Sequence, residues 1–358
     1  MKKLSAAHCD RMLKRASVPV DLEISASMKE RSRGPDARMY GMLRYFMGYL
    51  DQNLKPIRMP AGKRFRAGLC LILAEAYQSR SEAFEAAIAI ELFHNFTLIH
   101  DDIEDRDEVR RGKPTVWKLW GVNDAINSGD AQSLLVTERI VRVAGIPAVG
   151  AHLSHALTQA CIEVIEGQHL DFQLATVPIS AQTVSEEMYL RMTLKKTGAL
   201  VRIAAEAAGI AAGKDAAECA RLRQYGLSLG LAFQMADDYR SVWSTQRETG
   251  KDSYSDIREH KRTLPFLYAY AESRGEAKRR LKELYSMPSQ LIKDEIREAR
   301  DIIDATDAQE YVLSRIKDCT SEAQNIAEAL DLPDESKAFL LGLIDLLVPE
   351  NMKLKGEE

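Results

Sequence analysis

Several features are scarce in this chain, and each shortage excludes something. No apolar run is long enough to span a bilayer, so no membrane helix is expected. Alternating stretches rich in β-branched residues are few, which argues against a core built from sheets. Cysteine is sparse: Cys9, Cys70, Cys161, Cys219 and Cys319 are odd in number, dispersed and without metal-ligand spacing. They fit neither a disulfide framework nor a zinc site, and read as reduced thiols of a cytoplasmic protein. Met1-Lys2-Lys3 has the charge of a signal-peptide start, but no apolar segment follows, which points away from secretion. A strong charge of either sign is missing too. The formal net charge is −4, too small for a nucleic-acid footprint.

What is present is helical. Helix formers dominate, and Gly and Pro sit mainly between periodic stretches, so the fold is expected to be all-α. With no composition break, low-complexity tract or internal repeat, one domain is expected over residues 39–350. A short helical arm and linker (residues 1–38, ending in Lys29–Arg38) precede it, and a polar tail (residues 351–358) follows.

Two acidic stretches carry the most information. Asp101-Asp102-Ile103-Glu104-Asp105 lies near the end of a periodic run from Ser81 to Arg111, free of Gly and Pro. Ser79 and Glu82 have capping-box spacing before it, and Gly112 with Pro114 ends it. Phe84, Ile88, Leu92, Phe96 and Ile99 form its buried stripe. Asp101 and Asp105 are one turn apart, so their carboxylates share a face about 6 Å from each other. Such a pair suits a hard cation, Mg²⁺ before Ca²⁺ or Zn²⁺. A solvated acidic helix end neutralised by Arg106, Arg110 and Arg111 is the equal alternative. In the second stretch, Leu222, Gly226, Leu229 and Phe233 lead to Asp237-Asp238, with Gln234 just before them. Its apolar surroundings make an unpartnered carboxylate expensive, which favours a cationic partner. Gly226 and Gly230 cost helix stability and point to close helix packing.

Basic residues accompany these acids. Gly62-Lys63-Arg64-Phe65-Arg66 opens an apolar helix over Ala67–Ala76, where backbone N–H groups and cationic side chains favour a phosphate. Arg110-Arg111-Gly112-Lys113 follows the first acidic stretch, Lys195-Lys196-Thr197 lies in another helical stretch, and Lys251 and Lys261 bracket a polar loop or lid, Ser244–Thr263. Together they fit a polyphosphate held partly through metals and partly through Arg and Lys.

In this order the pieces resemble the trans-isoprenyl diphosphate synthases, or polyprenyl synthetases. The matching segments run from Gly62-Lys63-Arg64-Phe65-Arg66 through Glu91-Leu92-Phe93-His94, the first acidic stretch, Arg110–Thr115, Gly129-Asp130, Gly167-Gln168 with Asp171, and Lys196-Thr197. Phe233-Gln234 before Asp237-Asp238, then Gly250-Lys251 to Thr263-Leu264-Pro265, complete the set. The resemblance implies a single large helical bundle of the isoprenoid synthase type with a central active-site cavity. It also implies a homodimer without a membrane span or nucleic-acid partner.

The reaction it implies is head-to-tail condensation of an allylic diphosphate with isopentenyl diphosphate. Asp101, Asp105 and Asp237 would hold Mg²⁺, about three ions per active site in such enzymes. Arg110, Lys196, Lys251 and Lys261 would contact the allylic diphosphate, and Lys63, Arg66, His94 and Arg111 the isopentenyl diphosphate. Thr197 and Gln234 would stabilise the allylic cation, and Asp102 would orient its neighbours. Phe96, with small Thr97 beside it, resembles the floor of members that stop at geranylgeranyl diphosphate (C20). Farnesyl (C15) or longer-chain synthesis, a class I terpene cyclase and a non-catalytic partner subunit are the alternatives. Ser241 departs from the pattern, standing where the second motif usually has a third Asp; Ala67 and Asp252 replace prolines.

Overall fold

The computed structural model describes residues 3–57, 64–181, 184–244 and 254–348. The fold is all-α, with one two-stranded hairpin among the described residues. No helix among them is long and apolar enough to cross a membrane. The chain divides into two compact units.

The first unit comprises Met1–Cys161, Ile203–Arg223 and Asp331–Phe339. Helix α1 (Ala6–Arg31) starts at Ser5, whose hydroxyl accepts from the His8 N–H. It buries Cys9, Leu13, Val20, Ile24 and Met28, a three- and four-residue stripe that packs on α3. After α2 (Ala37–Phe46), helix α3 (Phe65–Ala76) lies against both α1 and α4 (Arg80–Glu104), and nearly all of it is buried. Helix α4 packs along α6 (Val122–Ala144), with the short α5 (Val116–Trp120) between them in sequence.

Two local expectations change here. Ser79 is the N-cap of α4, but its hydroxyl turns to the Ala74 carbonyl at 3.3 Å and no capping box forms. The helix also stops at Glu104 rather than continuing to Arg111. Arg106 adopts φ 56°, and Val109–Arg110 (β1) pairs with Lys113–Pro114 (β2). Positive φ at Arg111 (54°) and Gly112 (73°) gives the type I′ geometry that closes a tight hairpin.

The second unit comprises Ile162–Arg202, Gln224–Leu330 and Leu340–Glu358. Its site elements are the C-terminal part of α7 (Gly150–Thr176), α8 (Glu186–Thr193), a π-helical turn (Leu194–Gly198) and the later turns of α10 (Ala216–Trp243). Its core gathers Tyr189, Met235, Phe266 and Leu281, with Phe266 stacked on Tyr285 at 3.9 Å. Gly226 and Gly230 answer the packing expectation. A Cβ on Gly226 would stand 2.5 Å from Arg202 Cα, and one on Gly230 2.9 Å from Gly198 Cα.

Candidate active site

In the first unit, Asp101 and Asp105 keep their one-turn relationship at the end of α4. The Asp105 N–H donates to the Asp101 carbonyl at 2.8 Å. Asp101 is partly buried and Asp105 exposed. Asp102 turns inward, where it is buried and pairs with Arg110 Nε. Burial pushes its carboxyl up to about 6, against the pull of Arg110. Asp102 thus ties the hairpin arginine to the acidic helix end.

The basic residues separate into two kinds. Arg64 is committed to the fold: its Nε donates to Asp21 (2.8 Å), Nη1 to Glu91 (3.1 Å) and Nη2 to the Met47 carbonyl (2.9 Å). Arg66 has a buried Nε with no hydrogen-bond partner among the described residues. Burial lowers its pKa to about 10; Glu91 opposes the shift and Arg111 adds to it. His94 is partly buried on α4. Burial, then the charges of Arg66, Arg111, Arg64 and Arg110, hold its pKa well below 6.5. It is therefore neutral at pH 7, with one ring nitrogen a donor and the other an acceptor. A buried guanidinium donor without a partner among the described residues, beside a second arginine and a neutral histidine, makes a site for an anion.

Phe96 and Thr97 are partly buried on α4. The Phe96 ring lies between Phe93 (centroids 5.5 Å apart) and His100 (4.9 Å). His100 fits over Gly129 of α6, where a Cβ would come within 2.2 Å of its Nε2.

The second unit gathers Lys196, Thr197, Gln234, Asp237 and Asp238. Lys196 Nζ donates to Asp171 Oδ2 at 2.6 Å. Thr197 Oγ1 donates to Gln234 Oε1 at 2.9 Å, and Gln234 Nε2 donates to Asp238 Oδ1 at 2.9 Å. Tyr189 donates to the other oxygen, Oδ2, at 2.6 Å. Asp237, one residue earlier, is partly exposed, with Arg240 Nη2 3.8 Å away. Burial, then the neighbouring Asp256, raise the Asp238 carboxyl above its ordinary range. Ser241, at the missing third acid, has its Oγ 2.6 Å from Asp256 Oδ2 and 2.7 Å from the Asp238 carbonyl. The hydroxyl has one hydrogen to share between these two acceptors, and burial raises the Asp256 carboxyl above its ordinary range.

Lys261 is exposed and pairs with Glu259 at 3.0 Å. Arg262 beside it donates to the Leu174 and Val177 carbonyls at 2.6 and 2.5 Å, capping the end of α7. Lys63 and Lys251 lie outside the described residues. Neither Tyr189 nor Arg262 was singled out from sequence. A signal existed for Tyr189, which stands two turns before Lys196 and so on the same helical face. Arg262 had none, because its partners are backbone carbonyls distant in sequence.

A profile of the polyprenyl synthetase family matches residues 48–303, well over half the chain. The chain belongs to that family. This polyprenyl synthetase is 33% identical over 346 residues to the (2E,6E)-farnesyl diphosphate synthase of Mycobacterium tuberculosis, covering 95% of this chain and 94% of the relative. It is 35% identical over 275 residues to a geranylgeranyl diphosphate synthase of the same organism, covering 76% of each. A solved polyprenyl synthase from Caulobacter crescentus CB15, complexed with calcium and isoprenyl diphosphate, superposes with a TM-score of 0.77. The identity is 26%, over 95% of this chain and 97% of that one. The protein is a prenyltransferase of the polyprenyl synthetase type.

Proposed function

We propose that this polyprenyl synthetase condenses an allylic diphosphate with isopentenyl diphosphate, giving geranylgeranyl diphosphate (C20). The observation that carries the reading is the cluster of Arg66, His94 and Arg111, with the buried Nε of Arg66 that has no partner among the described residues. A second diphosphate needs such a cradle, whereas a cyclase acting on one allylic diphosphate does not. Lys63 belongs to the same cradle by its place in the motif.

Asp101 and Asp105, with Asp237, are the residues proposed to hold Mg²⁺, about three ions with the diphosphate and water completing their shells. Their donors are all oxygen, as a hard ion requires, and the Caulobacter relative binds calcium together with isoprenyl diphosphate. When bound, the metal would supply Lewis-acid neutralisation of the leaving diphosphate. Lys196, steered by Asp171, and Arg110, steered by Asp102, are assigned to the allylic diphosphate with Lys251 and Lys261. In the reaction the allylic carbon–oxygen bond breaks, and the cation is taken up by the alkene of isopentenyl diphosphate. A proton is then lost to the released diphosphate. Thr197 and Gln234 stabilise the cation through oxygen lone pairs in a dry pocket.

Phe96 is proposed as the floor that ends growth, with Thr97 leaving space beside it. The partner is proposed to be a second copy of this chain. Val122, Ile126, Leu134 and Val141 recur along one face of α6, and all are exposed, Leu134 at 68%. The five dispersed cysteines fit a cytoplasmic setting. Incubation of the purified protein with isopentenyl diphosphate, each allylic primer and Mg²⁺, with products identified by mass, tests the reading. A C20 diphosphate is expected. Conversion of an allylic diphosphate alone into a hydrocarbon or alcohol would overturn it.

A further inference from the structure

The hydrogen-bond chain from Tyr189 to Thr197 has a direction, and that direction matters for a side chain facing a cation. A glutamine amide presents an attractive oxygen on one side and a repulsive NH₂ on the other. Its terminal torsion is soft and roughly two-fold, so packing alone does not fix which side points where. In this protein the partners fix it. Gln234 Nε2 is turned to Asp238 and Oε1 to Thr197, which leaves a lone pair on Oε1 for a further contact. Asp238 accepts from that amide with Oδ1 and from Tyr189 with Oδ2, so the carboxylate is held by two donors on opposite oxygens.

We propose that Tyr189 is a positioning residue that acts through Asp238 to keep the amide oxygen of Gln234, and not its NH₂, turned toward the reacting centre. The inference rests on the reading that Gln234 and Thr197 face the allylic cation. Tyr189 and Asp238 are both buried, so no water competes for the carboxylate and the loss of one donor is not made good by solvent. Without the tyrosine hydroxyl, Asp238 turns to other donors and its hold on the amide weakens. The flipped rotamer, with NH₂ toward developing positive charge, then becomes populated. Tyr189 touches no reacting atom in this scheme.

Tyr189→Phe keeps the ring in its buried slot and removes only the hydroxyl. Two readouts decide the matter. The side-chain amide protons of Gln234, followed by ¹⁵N-resolved NMR, should exchange with solvent severalfold faster in the variant, because the hydrogen bond that holds the amide is weakened. This measurement needs no turnover. In kinetics, kcat should fall about tenfold while the KM for each substrate stays within about twofold, the pattern of an interaction made mainly in the transition state. In a Gln234→Leu background, Tyr189→Phe should cost less than about twofold, since its effect runs through that amide. Unchanged exchange of the Gln234 amide, or an equal kcat loss in both backgrounds, would overturn the proposal. If Gln234→Leu by itself turns over like wild type, the assignment of Gln234 to the cation falls, and this inference falls with it.

Discussion

Gly167 of α7 lies directly on the backbone of Lys196: a Cβ at residue 167 would stand 2.2 Å from the Lys196 amide nitrogen and 2.7 Å from its Cα. This contact sets where the π-helical turn, Leu194–Gly198, meets α7, and with it the Lys196–Asp171 pair. Wide turns of this kind recur at functional sites, and here one carries both Lys196 and Thr197. Gly167→Ala meets backbone atoms that cannot rotate away. It should destabilise the protein by about 1–3 kcal/mol and lower turnover by shifting Lys196. Urea denaturation curves with equal midpoints for wild type and variant would show that the contact yields freely.

Asp101→Ala and Asp105→Ala should each reduce kcat by at least about a hundredfold, since charge stabilisation at a leaving diphosphate is the main catalytic term. Both variants should fold, because neither carboxylate is fully buried. Near-wild-type turnover of either at saturating substrate and Mg²⁺ would remove that residue from the proposed metal site.

His94 gives a pH prediction. Its folded pKa lies well below 6.5, through burial and then the neighbouring arginines. Below pH 6.5 the unfolded chain takes up a proton that the folded chain refuses, so this group's contribution to stability is present above pH 6.5 and is lost as pH falls. His94→Gln should flatten the acid side of the stability profile relative to wild type. The slope difference should approach one proton, about 1.4 kcal/mol per pH unit. Denaturation midpoints compared at pH 7 and pH 5 check this; parallel profiles for the two proteins would place a charged imidazole in the folded state.

Phe96→Ala tests the cavity floor. If the ring ends chain growth, the variant should release products at least one isoprene unit longer than wild type. Mass spectrometry of the diphosphate products gives the answer. An unaltered product distribution in a folded, active variant would place the floor on another residue.

Leu134→Asp tests the exposed stripe of α6. A charge on a residue 68% exposed costs a monomer little, but buried between two copies it would be strongly unfavourable. Sedimentation velocity should show a dimer for wild type and a monomer for the variant. A dimer in both cases would move the interface away from this stripe.

Relationships within one or two turns were legible from sequence. Residue spacing alone put Asp101 and Asp105 on one helical face. Periodicity gave the stripe leading to Gln234 and Asp237, and the cost of glycine in a helix pointed to close packing at Gly226 and Gly230. The order of the motifs carried the family. Tertiary structure decided whatever depends on partners distant in the chain. The resemblance assigned Arg66 and not Arg64 to a diphosphate, but the physical difference is tertiary: Asp21, Glu91 and the Met47 carbonyl claim Arg64, while a buried nitrogen of Arg66 has no acceptor among the described residues. The apolar run through α4 gave no sign of its end at Glu104, because a left-handed Arg106 and the pairing of Arg110 with Lys113 stop it. The π-helical turn was equally silent: α-helical and π-helical turns use the same residues, and this one is fitted to a backbone approach that Gly167 permits. The same holds for Tyr189, whose hydroxyl matters only because folding buries Asp238 beside it.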